Sequence, residues 1–189
     1  MADDEKLTSG RSTPVPSKQP GTSTLILETG DDIEYTERFA REHSVDDLLV
    51  LACGSDPAQV IERTERIDAE QKRLLTDARA AAERVGVHTA VEELSDPADL
   101  STTGIAISSF LDDEGGTVVC FHSLTALLEA VETEQLFRFL HVLTSRVHAA
   151  DAIGQFYLDP ARTDDRTIYK LRSGFDTVVE TDTVSRFSR

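Results

Sequence analysis

Short apolar runs alternate with amphipathic segments along most of the chain. Residues 24–28, 48–53, 117–121, 153–158 and 175–180 are mostly continuous stretches of Leu, Ile, Val, Phe and Tyr, without polar alternation. Runs of this length predict strands buried on both faces, as in a parallel sheet covered by helices. A further short strand is expected over 87–91. Between the runs, the spacing predicts helices. The first covers 33–43, with Asp31 and Asp32 as N-cap candidates, Ile33, Phe39 and Ala40 as apolar contacts, and Glu34–Arg38 and Glu37–Arg41 as i,i+4 pairs. Asp56-Pro57 starts a second, which the spacing carries to residue 85, with Gly86 as its stop. Val60, Ile67, Leu74 and Ala81 recur every seven residues there, which fits a long amphipathic helix lying on its own sheet; a coiled coil is the alternative. Further helices are expected over 103–111, 123–131 and 134–149, the last with Leu136, Leu140, Leu143 and Val147 on one stripe. Asp159-Pro160 is read as the start of a helix reaching residue 172.

The resulting order, β-α-β-α-(β)-α-β-α-β-α-β, predicts a three-layer α/β domain: a mostly parallel sheet with helices on both faces. Ligands on such sheets bind beyond the carboxyl ends of the strands, so the loops after Glu28, Cys53, Phe121 and Leu158 are where chemistry is sought. Residues 1–22 hold Pro14, Pro16 and Pro20 among Gly, Ser and Thr, with no periodicity. A disordered tail is expected there, leaving one domain over 23–189.

Charge narrows the range of partners. Acidic residues outnumber basic ones by 35 to 19, for a formal net charge of −16. The lysines are Lys6, Lys18, Lys72 and Lys170; the remaining basic residues are arginine. Such a surface suits concentrated salt, where a Debye length of about 3 Å screens self-repulsion, and a halophilic archaeal source is expected. No basic stripe is present to neutralise a phosphate backbone, so nucleic acid is not an expected partner. Cys53 and Cys120 each sit in an apolar run and read as buried free thiols. No stretch approaches the roughly 18 apolar residues of a membrane helix, and the polar N-terminus is no signal peptide, so a cytoplasmic location is expected.

The chain resembles a RecA/KaiC-type ATPase core. Residues 21–27 (GTSTLIL) look like its lead-in strand. Residues 104–108 (GIAIS) and 118–127 (VVCFHSLTAL) are similar to its helix and Walker B strand, and 175–180 (FDTVVE) to a later strand. Residues 136–141 (LFRFLH) and 156–160 (FYLDP) resemble a haloarchaeal group of degenerate KaiC-like proteins. The resemblance spans about residues 21–182. It implies a sheet in which strand 153–158 lies between strands 24–28 and 117–121, and by analogy it implies self-association or a protein partner.

The catalytic parts of that family are missing. A P-loop needs G-x-x-x-x-G-K-[ST] after the first strand, to cradle phosphate and neutralise its charge. Here residues 28–34 read ETGDDIE, with no lysine between Lys18 and Lys72. At 4 Å one carboxylate–phosphate repulsion is about 1 kcal/mol in water and about 4 kcal/mol near a protein surface. Several together outweigh the roughly 1 kcal/mol attraction of a helix N-terminus. Where the family places its magnesium-binding Asp, this chain has His122, a poor ligand for hard Mg²⁺. Hydrolysis by the family mechanism is therefore not expected.

The expected role is a non-catalytic RecA/KaiC-like regulatory or interaction protein, needing no cofactor and no metal. Two rival readings remain: a repurposed cleft, and vestigial nucleotide binding without turnover. The candidate cleft rim is Gly30, Asp31, His122, Ser123 and Asp159. There a His122–Asp159 pair would bind a metal or act as acid and base, unless Asp159 only caps its helix. No H-E-x-x-H or C-x-x-C spacing accompanies it. The candidate partner face is Arg138, His141, Ser145 and His148, a locally basic stripe on an acidic protein. A receiver domain is the rival fold, but it needs an acceptor Asp where this chain has His122.

Overall fold

A computed structural model describes residues 18–29, 33–54, 56–77, 89–111, 116–122 and 124–181. Its elements in chain order are β1 (Thr22–Leu27), α1 (Glu34–Glu42), β2 (Asp47–Ala52), α2 (Pro57–Arg66), β3 (Gln71–Thr76), β4 (Thr89–Glu93), α3 (Leu100–Phe110), β5 (Thr117–His122), α4 (Leu124–Ala130), α5 (Thr133–Ala149), β6 (Ile153–Leu158), α6 (Asp165–Arg172) and β7 (Thr177–Glu180). The strands form one seven-stranded sheet in the order β4-β3-β2-β5-β6-β1-β7. Every neighbouring pair is parallel. The α/β architecture with helices on both faces is as the apolar runs predict. Strand β6 lies between β1 and β5.

Because side chains alternate along a strand, each central strand supplies both cores. Leu25, Leu49, Val119 and Phe156 point to the face covered by α3–α6, where they meet Ile107, Leu136, Leu140 and Leu143. Ile26, Leu48, Val50 and Cys120 point to the other face, beneath Phe39 of α1 and Val60 of α2. The stripe Leu136, Leu140, Leu143 and Val147 is the buried side of α5, as its spacing requires.

The helix expected from 57 to 85 is corrected. It ends at Arg66, and Ile67 leaves it with extended backbone, φ −79° and ψ 127°. Residues 71–76 form β3, hydrogen-bonded between β2 and β4. The coiled-coil alternative is overturned with it, since Leu74 lies in the sheet. The seven-residue repeat misled because it counts one seam only. Leu74 and Leu75 are adjacent and both fully buried, each in a different core. A strand between two layers turns neighbours to opposite faces and buries both, whereas a helix with one apolar face sets them only about 100° apart and leaves one at its margin. No Gly or Pro in Asp68-Ala69-Glu70 marks the break. Residues 78–86 of the expected helix lie outside the described residues.

Two other boundaries move. The helix read from Asp159-Pro160 begins at Asp165 and is capped by Asp164, whose carboxylate accepts from Thr167 N. Asp159 instead accepts from Ala161 N within its own turn. The helix expected over 103–111 starts earlier, at Leu100, because Asp99 accepts from Ser101 N and Thr102 N. The tail expected over residues 1–22 falls outside the described residues up to residue 17, and β1 begins at Thr22. The cap candidates Asp31 and Asp32 and the turn at 112–115 also lie outside them.

Cys53 and Cys120 are free, buried thiols. Burial pushes both up to about 12, with Asp77 adding to the effect at Cys53. At pH 8 the reactive thiolate is then roughly one part in 10⁴ at each site. A disulfide reagent such as DTNB is expected to titrate no thiol in the folded protein and both after denaturation. Rapid labelling of either in the native state would contradict this burial.

Candidate functional site

All the strands are parallel, so their carboxyl ends share one edge. Of the expected rim residues, His122 and Asp159 are described; Gly30, Asp31 and Ser123 lie outside the described residues. His122 ends β5 and Asp159 follows β6, its neighbour in the sheet. The rim puts them on adjacent strands, but their contacts diverge. Asp159 N–H donates to Thr125 Oγ1 at 2.9 Å, and its carboxylate accepts from Ala161 N at 2.8 Å. The imidazole of His122 is buried beside the Tyr157 ring, with centroids 5.8 Å apart. Among the described residues, no group of three or more His, Cys, Asp or Glu gathers to hold a metal ion.

Thr36, Gln155 and Tyr157, not singled out by the sequence, join His122, Cys120 and Glu28 on the α1 face of the sheet. Parity explains their meeting. Glu28 lies two residues beyond Ile26, and Gln155 and Tyr157 alternate with the apolar Phe156 and Leu158. Cys120 and His122 do the same on β5. All of them therefore face α1, whose first turn supplies Thr36. Thr36 N–H donates to the Tyr157 hydroxyl at 2.9 Å. The Thr36 hydroxyl donates to Gln155 Oε1 at 2.7 Å and lies 2.6 Å from the Tyr157 oxygen. With its own proton committed to Gln155, Thr36 Oγ1 accepts the Tyr157 proton. The Cys120 sulfur lies 3.5 Å from the same oxygen. The result is a closed network binding α1 to β5 and β6. Its signal in sequence is the pair Gln155 and Tyr157 at alternate positions of an otherwise apolar strand.

Several carboxylates stand at this edge. Burial raises the Tyr157 hydroxyl well above its ordinary value; the Cys120 and Glu28 charges raise it further, against the bonds from Thr36. Glu28, Asp77 and Asp159 stand at the ends of β1, β3 and β6, and Asp77 accepts from Gly54 N with both oxygens at 3.2 Å. Arg162, the cation nearest Asp159 in sequence, is paired with Glu129.

The expected partner face lies on α5, and Arg138, His141, Ser145 and His148 are all exposed. The structure divides them between two concavities. His141, Ser145 and His148 border a cleft of about 330 Å³ against Ser173–Asp176. Two of these groups are already engaged: Ser145 Oγ donates to His141 O at 2.8 Å, and His148 Nδ1 is 2.9 Å from Gly21 O. Arg138 instead flanks a larger groove of about 770 Å³ between α3 and α5.

No helix among the described residues is long and apolar enough to cross a membrane. Residues 21–181 match a family described as a family of unknown function, DUF7504. No curated protein matches the chain.

Proposed function

The chain belongs to DUF7504, a family of unknown function, and from that premise we propose that it is a RecA/KaiC-like protein that acts by binding another protein and does not hydrolyse ATP. The strand order supports the kinship, with β6 between β1 and β5 as the resemblance requires. The observation that supports a loss of catalysis is the burial of polar side chains at and beside the carboxyl ends of β1, β5 and β6. Glu28, Thr36, His122 and Tyr157 are each no more than 4% exposed. A buried carboxylate and a buried imidazole thus stand where the resemblance would place phosphate and magnesium. A polyphosphate approaching this edge meets the carboxylate of Asp159, and residues 28–34 hold no lysine to offset it.

A thermal-shift series tests this reading. A ligand at 100 times its Kd adds about 2.7 kcal/mol of stability. Millimolar Mg-ATP and Mg-ADP are expected to leave the melting temperature unchanged, with no release of inorganic phosphate. Phosphate release, or an ATP-dependent shift lost in His122→Ala, would restore the nucleotide reading.

A further inference from the structure

A groove of about 770 Å³ runs between α3 and α5. Its α3 wall carries no charged residue over Leu100–Phe110 (LSTTGIAISSF), although the chain holds 35 acidic and 19 basic residues. Ile105 is 71% exposed and Val142 on α5 is 63% exposed, so two branched apolar side chains flank the same opening in water. Exposed apolar surface of this kind, framed by polar residues, marks interaction sites. The floor is rigid. A Cβ on Gly104 would lie 3.3 Å from Phe139 Cε2, so the glycine lets α3 close onto that ring. Phe139 in turn packs edge-on against the buried Phe121, with centroids 6.4 Å apart.

The cations of the groove point to its occupant. Arg138 and Arg146 line it from α5. They are eight residues apart, or about two helical turns and 12 Å. Two other cations on the α4–α6 side of the sheet are ion-paired, Arg162 with Glu129 and Lys170 with Glu134. Among the described residues, neither Arg138 nor Arg146 has a carboxylate within ion-pair distance. Glu134 feels Arg138 only as a weaker influence behind Lys170. Two unneutralised guanidinium groups beside an uncharged wall are complementary to one kind of ligand.

We propose that the α3–α5 groove docks an amphipathic helix of a partner protein, its apolar stripe seated over Gly104, Ile105, Phe139 and Val142 and its flanking carboxylates, about two turns apart, paired with Arg138 and Arg146. An apolar opening between two helices suits the helix-in-groove mode, in which residues at i, i+3 or i+4 and i+7 anchor the ligand. The charges set orientation and exclude basic helices. This inference rests on the reading of the protein as a binding module, and it names that module's ligand.

The test is a display selection with helical peptides of about 16 residues, long enough for four turns. Apolar anchors are held at helical spacing and the flanking positions are randomised. The full-length protein is the target, and the Arg138→Glu/Arg146→Glu double variant is the counter-target. Asp and Glu are expected to be enriched at flanking positions two turns apart. A selected peptide, followed by fluorescence anisotropy, should bind the double variant and Ile105→Glu at least about tenfold more weakly than the parent. Both variants alter exposed side chains, and unchanged melting temperatures would show that they fold. The proposal is overturned by no enrichment, by enrichment of neutral or basic flanks, or by binding that survives both variants. It is equally overturned by a concentration-dependent dimer in sedimentation that Ile105→Glu abolishes, which would give the groove to a second copy of the chain. ATP binding or turnover would instead remove the non-catalytic reading and leave the peptide result intact.

Discussion

Thr36→Val is expected to destabilise the protein by about 3 kcal/mol, although it preserves side-chain shape. The hydroxyl it removes is buried and bonded to both Gln155 and Tyr157. The variant leaves Gln155 Oε1 without that donor and the Tyr157 hydroxyl without that acceptor. Each such buried group costs roughly 1–3 kcal/mol, well beyond the bond's own net value of about 1 kcal/mol. The low dielectric of the interior makes the half-satisfied network worse than an intact one. Tyr157→Phe removes the other end and strips the acceptor from Thr36 N–H. The double variant should then cost less than the sum of the singles, because the second change removes a group the first has orphaned. Urea denaturation of the set measures this directly. A Thr36→Val effect under about 0.5 kcal/mol, or strict additivity, would mean that the network does not bind α1 to the sheet.

Alkaline unfolding is the second large effect. Cys53 and Cys120 are pushed by burial from an ordinary value of 9.0 up to about 12. Below the unfolded value both states hold the proton and pH has no leverage. Above it the unfolded chain loses protons that the folded chain keeps, so stability falls until the folded groups titrate as well. Each thiol contributes a loss of about 1.4 kcal/mol per pH unit across that window. The pair therefore removes roughly 3 kcal/mol per unit between pH 9 and 12, against a typical total of 5–15 kcal/mol. Tyr157, raised well above its ordinary value, adds to the loss once an unfolded tyrosine would ionise. Unfolding free energy measured at several alkaline pH values should show this slope. Cys53→Ala/Cys120→Ala should flatten it between pH 9 and 10, whatever the substitutions cost at neutral pH. An unchanged slope in the double variant would assign the alkaline sensitivity to other groups.

The pattern of apolar runs was sufficient for β1, β2, β5 and β6, because strands buried on both faces have no polar alternation to obscure them; β7, an edge strand with Thr177 and Glu180 exposed, showed only through Val178 and Val179. The stripe of α5 was equally plain. β3 was not, because Val60, Ile67 and Leu74 also satisfy a helical repeat and no Gly or Pro interrupts them. Its identity comes from hydrogen bonds to β2 and β4, partners remote in the chain. The caps show the same limit on a smaller scale. Asp159-Pro160 and Asp164 are both acceptable helix starts by local chemistry, and Thr125, reaching across from α4, holds Asp159 in its turn.

Chain composition alone makes the protein acidic and lysine-poor, with no lysine between Lys18 and Lys72. Those are statements about which atoms exist, and no folding can supply a missing ammonium group. Tertiary structure alone brings Glu28, Thr36, Gln155 and Tyr157 together beneath α1, and aligns Ile105 with Val142 beside two unneutralised arginines. These are relations between residues on different elements. Side-chain parity on parallel strands and the packing of α3 on α5 create them, and neither leaves a periodic mark in any single segment.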